Sequence, residues 1–141
     1  MPTTARQAYT PTCVYTVLHS DSLKRFYKDG RAGKFIEGKP WTAAKQLLES
    51  AKRDGLQVPI MFAGAEQIQE LLYHGILTKV EIKKAADGKS KSVIRVVDLK
   101  PFRRPRPDKT DLIVESSGNS LSQNHIKTYV LCQTPEFVVG K

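Results

Sequence analysis

The sequence predicts an α+β fold, a small mixed and largely antiparallel sheet with two or three helices packed against it. Three observations carry this. Ile76 to Lys84 alternates apolar and polar residues, Ser92 to Leu99 carries apolar residues on both faces as a central arm does, and the polar link between them contains Asp87-Gly88, a pair that tolerates the positive φ of a hairpin turn. Trp41, Ala44, Leu47, Leu48 and Ala51 recur at helical spacing. Thr12 to Leu18 and Thr128 to Gln133 are rich in the β-branched and aromatic residues that suit a strand.

In chain order, residues 1–11 are polar and bracketed by prolines, which predicts a flexible arm or an extended lead-in. Residues 12–141 then form a single domain, large enough for a core without metal or disulfides. After the first strand, Ser20-Asp21-Ser22 offers capping side chains for a short helix over 22–27, stopped by Asp29-Gly30. Gly30 to Pro40 is rich in glycine and cations and reads as a loop. It leads into the helix that opens at Trp41 and stops at Gly55.

Val58 to Phe62 is a second strand. Ile68, Leu71 and Leu72 share one side of a compact helix over Gln67 to His74. In the ribbon, Ile76, Thr78, Val80 and Ile82 are expected on one face, with Leu77, Lys79, Glu81 and Lys83 on the other. Lys100 to Lys109 holds five cations, one acid and three prolines. Proline keeps such a segment extended, so its arginines stand out from the body. Asp111 to Glu115 is a short apolar run, a polar turn follows at 116–120, and Pro135 to Val139 follows the last strand.

Composition narrows the function. The formal net charge is +9, which favours a polyanionic partner, nucleic acid first. The two cysteines, Cys13 and Cys132, read as free buried thiols. With His19, His74 and His125 scattered through the chain, no metal motif forms, and neither metal nor other cofactor is expected. No apolar run reaches the roughly 20 residues that span a bilayer, and residues 1–12 lack the centre of a secretory signal. A soluble, cytoplasmic protein with no membrane partner is the expectation.

The element order, with Ile60-Met-Phe-Ala, Gly75-Ile-Leu-Thr-Lys-Val-Glu-Ile, Tyr129-Val-Leu-Cys and Thr134-Pro-Glu-Phe, resembles the PUA-like superfamily of small β-barrels, which includes PUA, ASCH, EVE and YTH domains. The string Ala32 to Lys39 is similar to the ASCH signature G-x-K-x-x-E-x-R at Lys34 and Glu37 and departs from it at Ala32 and Lys39. The resemblance implies a PUA-like barrel with a crevice for a base or nucleotide, often a modified one. In this chain it suggests Trp41, Tyr73 and Tyr129 as aromatic platform, Lys34 and Glu37 as a polar edge, and Arg103, Arg104 and Arg106 on phosphates. Phe102 and Lys109 belong to the same basic loop, where guanidinium and aromatic faces can stack on unpaired bases.

Three functions are consistent with these residues. A nucleic-acid-binding module, with RNA favoured over DNA, uses the charge and the basic loop without requiring chemistry. About four phosphate contacts would give a log-log salt slope on the order of −3 to −4. An ASCH-like hydrolase acting on an acylated nucleoside would use Lys34 and Glu37, the only catalytic candidates, and it ranks below binding. A regulatory protein-interaction domain would use the basic loop and Phe137, Val138 and Val139 as contacts.

Overall fold

The computed structural model describes residues 8–121 and 129–139, without the side chains of 67–69 and 139. The elements are β1 (Thr12–Leu18), α1 (Ser20–Lys28), β2 (Gly33–Glu37), α2 (Thr42–Arg53), β3 (Val58–Gly64), β4 (Gln67–Lys84), β5 (Ser90–Pro101), a 3-10 turn (Lys109–Asp111), β6 (Tyr129–Gln133) and α3 (Glu136–Val139). The fold is α+β, as expected. One six-stranded sheet runs in the order β2-β5-β4-β3-β1-β6. Among the six described strands β1 and β3 pair in parallel, with Val14 opposite Ile60, and the other ladders are antiparallel.

The first strand, both longer helices and the ribbon lie where the sequence places them. Asp87 and Gly88 turn the ribbon, with Gly88 at φ 81° and the Lys89 amide donating to Asp87 Oδ1 at 2.9 Å. Ala8 to Thr10 is an extended lead-in, joined to Gln57 by backbone hydrogen bonds of 2.9 and 3.0 Å. The expectations for residues 1–7, for His125 and for Thr128 lie outside the described residues.

Three expectations for the strands and their faces change. Gln67 to His74 is the first part of β4 and not a helix. Leu71 and Leu72 fall on opposite faces, each into a different core cluster, as strand geometry requires. Gly33 to Glu37 is a strand paired with β5 and not a loop, with Gly33 opposite Val96 and Glu37 opposite Ser92. The ribbon's two-faced alternation breaks at Thr78, where β4 shifts register against β5. Leu77 therefore lies in the same core cluster as Val80, and Ile76 is not part of that cluster. Thr78 Oγ1 donates to the Arg95 carbonyl at 3.2 Å at this bulge.

The core has two parts, one on each face of the sheet. The larger joins Val14, Ile60, Phe62, Leu77, Val80, Ile94 and Val96 to Leu23 of α1 and Ala44, Leu48 and Ala51 of α2. The smaller joins Cys13, Tyr15, Met61, Leu71 and Cys132 to Phe102, Leu112, Leu121 and Val138. Gly33 lets α1 sit tightly on β2, since a Cβ there would fall 2.4 Å from the Phe26 ring. Helix α1 is capped from a distance: the Ser20 amide donates to both oxygens of Glu66, at 3.0 and 3.2 Å. The local Ser20–Ser22 cap read from sequence is thus replaced by a carboxylate at the β3–β4 turn.

The sheet curls enough to bring its two edges together. Trp41, just after β2, stacks on Tyr129 of β6, with ring centroids 4.5 Å apart and planes 29° from parallel. Tyr129 Oη also accepts the Ala43 amide in the first turn of α2 at 3.2 Å. No β2–β6 ladder joins those edges among the described residues, so the sheet itself is not closed. No described helix is long and apolar enough to cross a membrane.

Candidate nucleic-acid interface

The residues singled out in the sequence separate into four places. At the closing seam, Trp41 is fully buried, its ring between Tyr129 and Phe35, whose centroid is 5.9 Å away. Its backbone amide donates to Ser92 Oγ at 2.8 Å, and that hydroxyl donates to the Lys39 carbonyl at 2.7 Å. A ring buried this completely has no face left for a base, so Trp41 is core and not a platform. Tyr129 is half-buried on the same stack.

Lys34 and Glu37 are three residues apart on β2, which puts them on opposite faces. Lys34 is exposed on the outer side, while Glu37 is half-buried on the side of Phe35, and burial raises its carboxyl above the usual range. The shared acid–base pair imagined for an acylated base is therefore not assembled.

The basic segment after β5 divides in a similar manner. Arg103 and Arg104 are exposed, as expected of a projecting loop. Phe102 turns inward against His74 and Phe137, at 4.6 and 5.7 Å between centroids, and is not available for stacking. Lys109 is fully buried, and desolvation lowers its ammonium pKa against the opposing charge of Asp108. It sits in the 3-10 turn capped by Asp108, whose Oδ1 accepts the Thr110 amide at 2.9 Å, so no phosphate reaches it.

The fourth place unites residues from four segments and is the best candidate site. Tyr73 of β4 meets Tyr27 of α1 with ring centroids 6.0 Å apart and planes at 49°. The Arg31 guanidinium lies over the Tyr27 ring, 5.3 Å from its centroid. Arg106 acts on the Tyr73 phenol, whose pKa burial and Tyr27 raise and Arg106 lowers. Arg106 also bridges Glu70 at 3.6 Å, and its buried Nε has no partner among the described residues. One arginine thus lies over the Tyr27 ring, and the charge of a second, paired with Glu70, reaches the Tyr73 phenol.

The backbone around this cluster is held in an unusual form. Arg31 has φ 62° and Asp98 φ 54°, both in the left-handed region that side chains other than glycine avoid. The Leu99 amide donates to the Arg31 carbonyl at 2.9 Å, which couples the two distorted stretches. Sequence reasoning found Tyr73 and Arg106 and missed Tyr27 and Arg31. The available signal was Arg31 immediately after Gly30, at the end of the helix that carries Tyr27.

Compared with known proteins, the chain matches no family model and no curated protein.

Proposed function

We propose that the protein is a nucleic-acid-binding module of PUA-like kind, which takes an unpaired RNA base at the Tyr27–Tyr73 pair and holds the adjoining phosphates with Arg31, Arg106, Arg103 and Arg104. The observation that carries the proposal is the convergence of two tyrosines and two arginines from α1, the α1–β2 turn, β4 and the basic loop. Aromatic faces suit any base, guanidinium groups suit phosphate, and Glu70 supplies an acceptor for a base edge. The net charge of +9 supports the same reading. A sheet whose edges meet through Trp41 and Tyr129 is the arrangement a small barrel needs, which supports the PUA-like assignment.

The test is a titration of labelled single-stranded RNA by fluorescence anisotropy, comparing wild type with a Tyr27→Leu/Tyr73→Leu variant. Leucine keeps the apolar packing and removes the rings. Loss of one stacked base corresponds to about 1–3 kcal/mol, so the variant should bind about 5- to 150-fold more weakly with an unchanged circular dichroism spectrum. Wild-type affinity in the variant would refute the site.

A further inference from the structure

The second face of the sheet is only partly covered. Its smaller core cluster draws on β1, β3, β6 and the start of β4, and stops there. Beyond it, on β2, β5 and the far part of β4, register places three cations in one row: Lys34 lies opposite Arg95, and Arg95 lies opposite Lys79. All three are exposed. Further along the ribbon Lys83 lies opposite Lys91, both also exposed. Between the rows lie Ile36, Val93 and Glu81, aligned in the same way. Glu81 is the one acid in these rows, and Lys83 lies 3.9 Å from it.

Strand spacing makes the first row about 10 Å wide and puts the second row about 13–14 Å beyond it. The face is therefore a field of five cations around Ile36 and Val93, in which Ile36 is 65% exposed and the one acid, Glu81, lies beside Lys83. Phosphates match the cations. The apolar centre matches an unpaired base or sugar and not a duplex, whose base faces are hidden inside the stack. Because no strand pairs with the outer edge of β2 among the described residues, a chain that leaves Arg31 can cross that edge at its Gly33 end and reach Lys34 three residues on.

We propose that the outer face of β2, β5 and β4 is a second binding surface, over which a single-stranded RNA continues after its base enters the tyrosine crevice. The identity of the strand rests on the crevice reading, while the surface rests on its own rows of charge. Lys34, Arg95 and Lys79 neutralise consecutive phosphates, Lys91 takes a later one, and Ile36 with Val93 meets the intervening base.

The experiment compares wild type with a Lys34→Gln/Lys79→Gln/Arg95→Gln variant, all at exposed positions that the core does not use. Two probes are titrated: a labelled single-stranded RNA of about 12 nucleotides by anisotropy, and adenosine monophosphate by NMR shifts of the crevice residues. The expected result is binding of the strand weakened at least about ten-fold at low salt, and a salt slope shallower by about 2, with the monophosphate bound as before. Unchanged affinity and slope for the strand would overturn the proposal. So would a poly-glutamate peptide competing as well as RNA, which would assign the face to an acidic protein. If wild type binds the strand but not the monophosphate, and the variant loses the strand, the crevice is refuted and the outer face stands. If wild type binds neither, both fail.

Discussion

Replacing Trp41 by alanine separates a structural role from a binding role more cleanly than any other single change. The ring is fully buried, stacked at 4.5 Å on Tyr129 and edge-on to Phe35 at 5.9 Å, so it connects the β2 and β6 edges. Truncating a buried aromatic of this size typically costs about 3–5 kcal/mol, a large part of the roughly 5–15 kcal/mol that holds a domain folded. For 141 residues the unfolding entropy is about 0.3 kcal/mol per kelvin, so Tm should fall by about 10–17 °C. Trp41→Phe keeps a ring in the stack and should cost less than half as much. Because the chain has a single tryptophan, the melt is read by circular dichroism instead of fluorescence. In wild type, tryptophan emission should be blue-shifted, shielded from acrylamide and unmoved by added RNA. If Trp41→Ala melts within about 3 °C of wild type, the ring is not core and the reasoning that removed it from the platform is wrong.

Two further outcomes follow from titrating groups. Cys13 and Cys132 face each other across β1 and β6 as free, buried thiols; burial, with Glu115 adding to it, pushes the Cys132 thiol up to about 12, and burial first, then Cys132, raises that of Cys13 further. Neither should react with a disulfide reagent at pH 8 in the native protein, and both should react at once in denaturant, which thiol counting by absorbance would show; rapid native labelling would contradict the burial. Glu66 is held down to about 2 by the Ser20 hydroxyl and by backbone amides, including that of Ser20. Its folded form is the more acidic, so the unfolded chain takes up the proton first, and the stabilisation present above about pH 4.5 is lost as pH falls toward 2. Glu66→Gln should therefore flatten the acid limb of a Tm-versus-pH curve, and a limb of unchanged slope would show that the cap does not contribute.

Strands with a regular apolar pattern were readable from sequence because each carries its own evidence. Thr12 to Leu18 needed no tertiary information, and neither did the amphipathic repeat from Trp41 to Ala51. Gln67 to His74 failed because Ile68, Leu71 and Leu72 fit a helix face as well as two sides of a strand, and eight residues are too few to separate the periods. The strand at Gly33 to Glu37 was hidden by glycine and lysine, which have low strand preference, and it exists because β5 offers an edge. The bulge at Thr78 left no local mark at all.

For the site, residue type has to be read together with burial, which sequence does not give. Proline and arginine content marks 100–109 as extended, but it does not say that Phe102 and Lys109 turn inward while Arg103 and Arg104 stay out. Spacing suggested Lys34 and Glu37 as partners under a loop reading, and strand geometry parts them. The Tyr27–Tyr73 pair brings together residues 46 positions apart, and the row Lys34–Arg95–Lys79 depends wholly on ladder register. No linear pattern carries either.

The position of β1 bears on how the chain is made. It pairs with β3 on one side and β6 on the other, and Cys13 Sγ donates to the Gln133 carbonyl across a sequence separation of 120. At about 5–20 residues per second, β1 waits roughly 6–24 s on the ribosome for its second neighbour to be synthesised. Throughout that interval its outer edge is an open row of amides and carbonyls, next to a thiol that the finished fold conceals. The length of that exposure is thus set by the order of the strands along the chain.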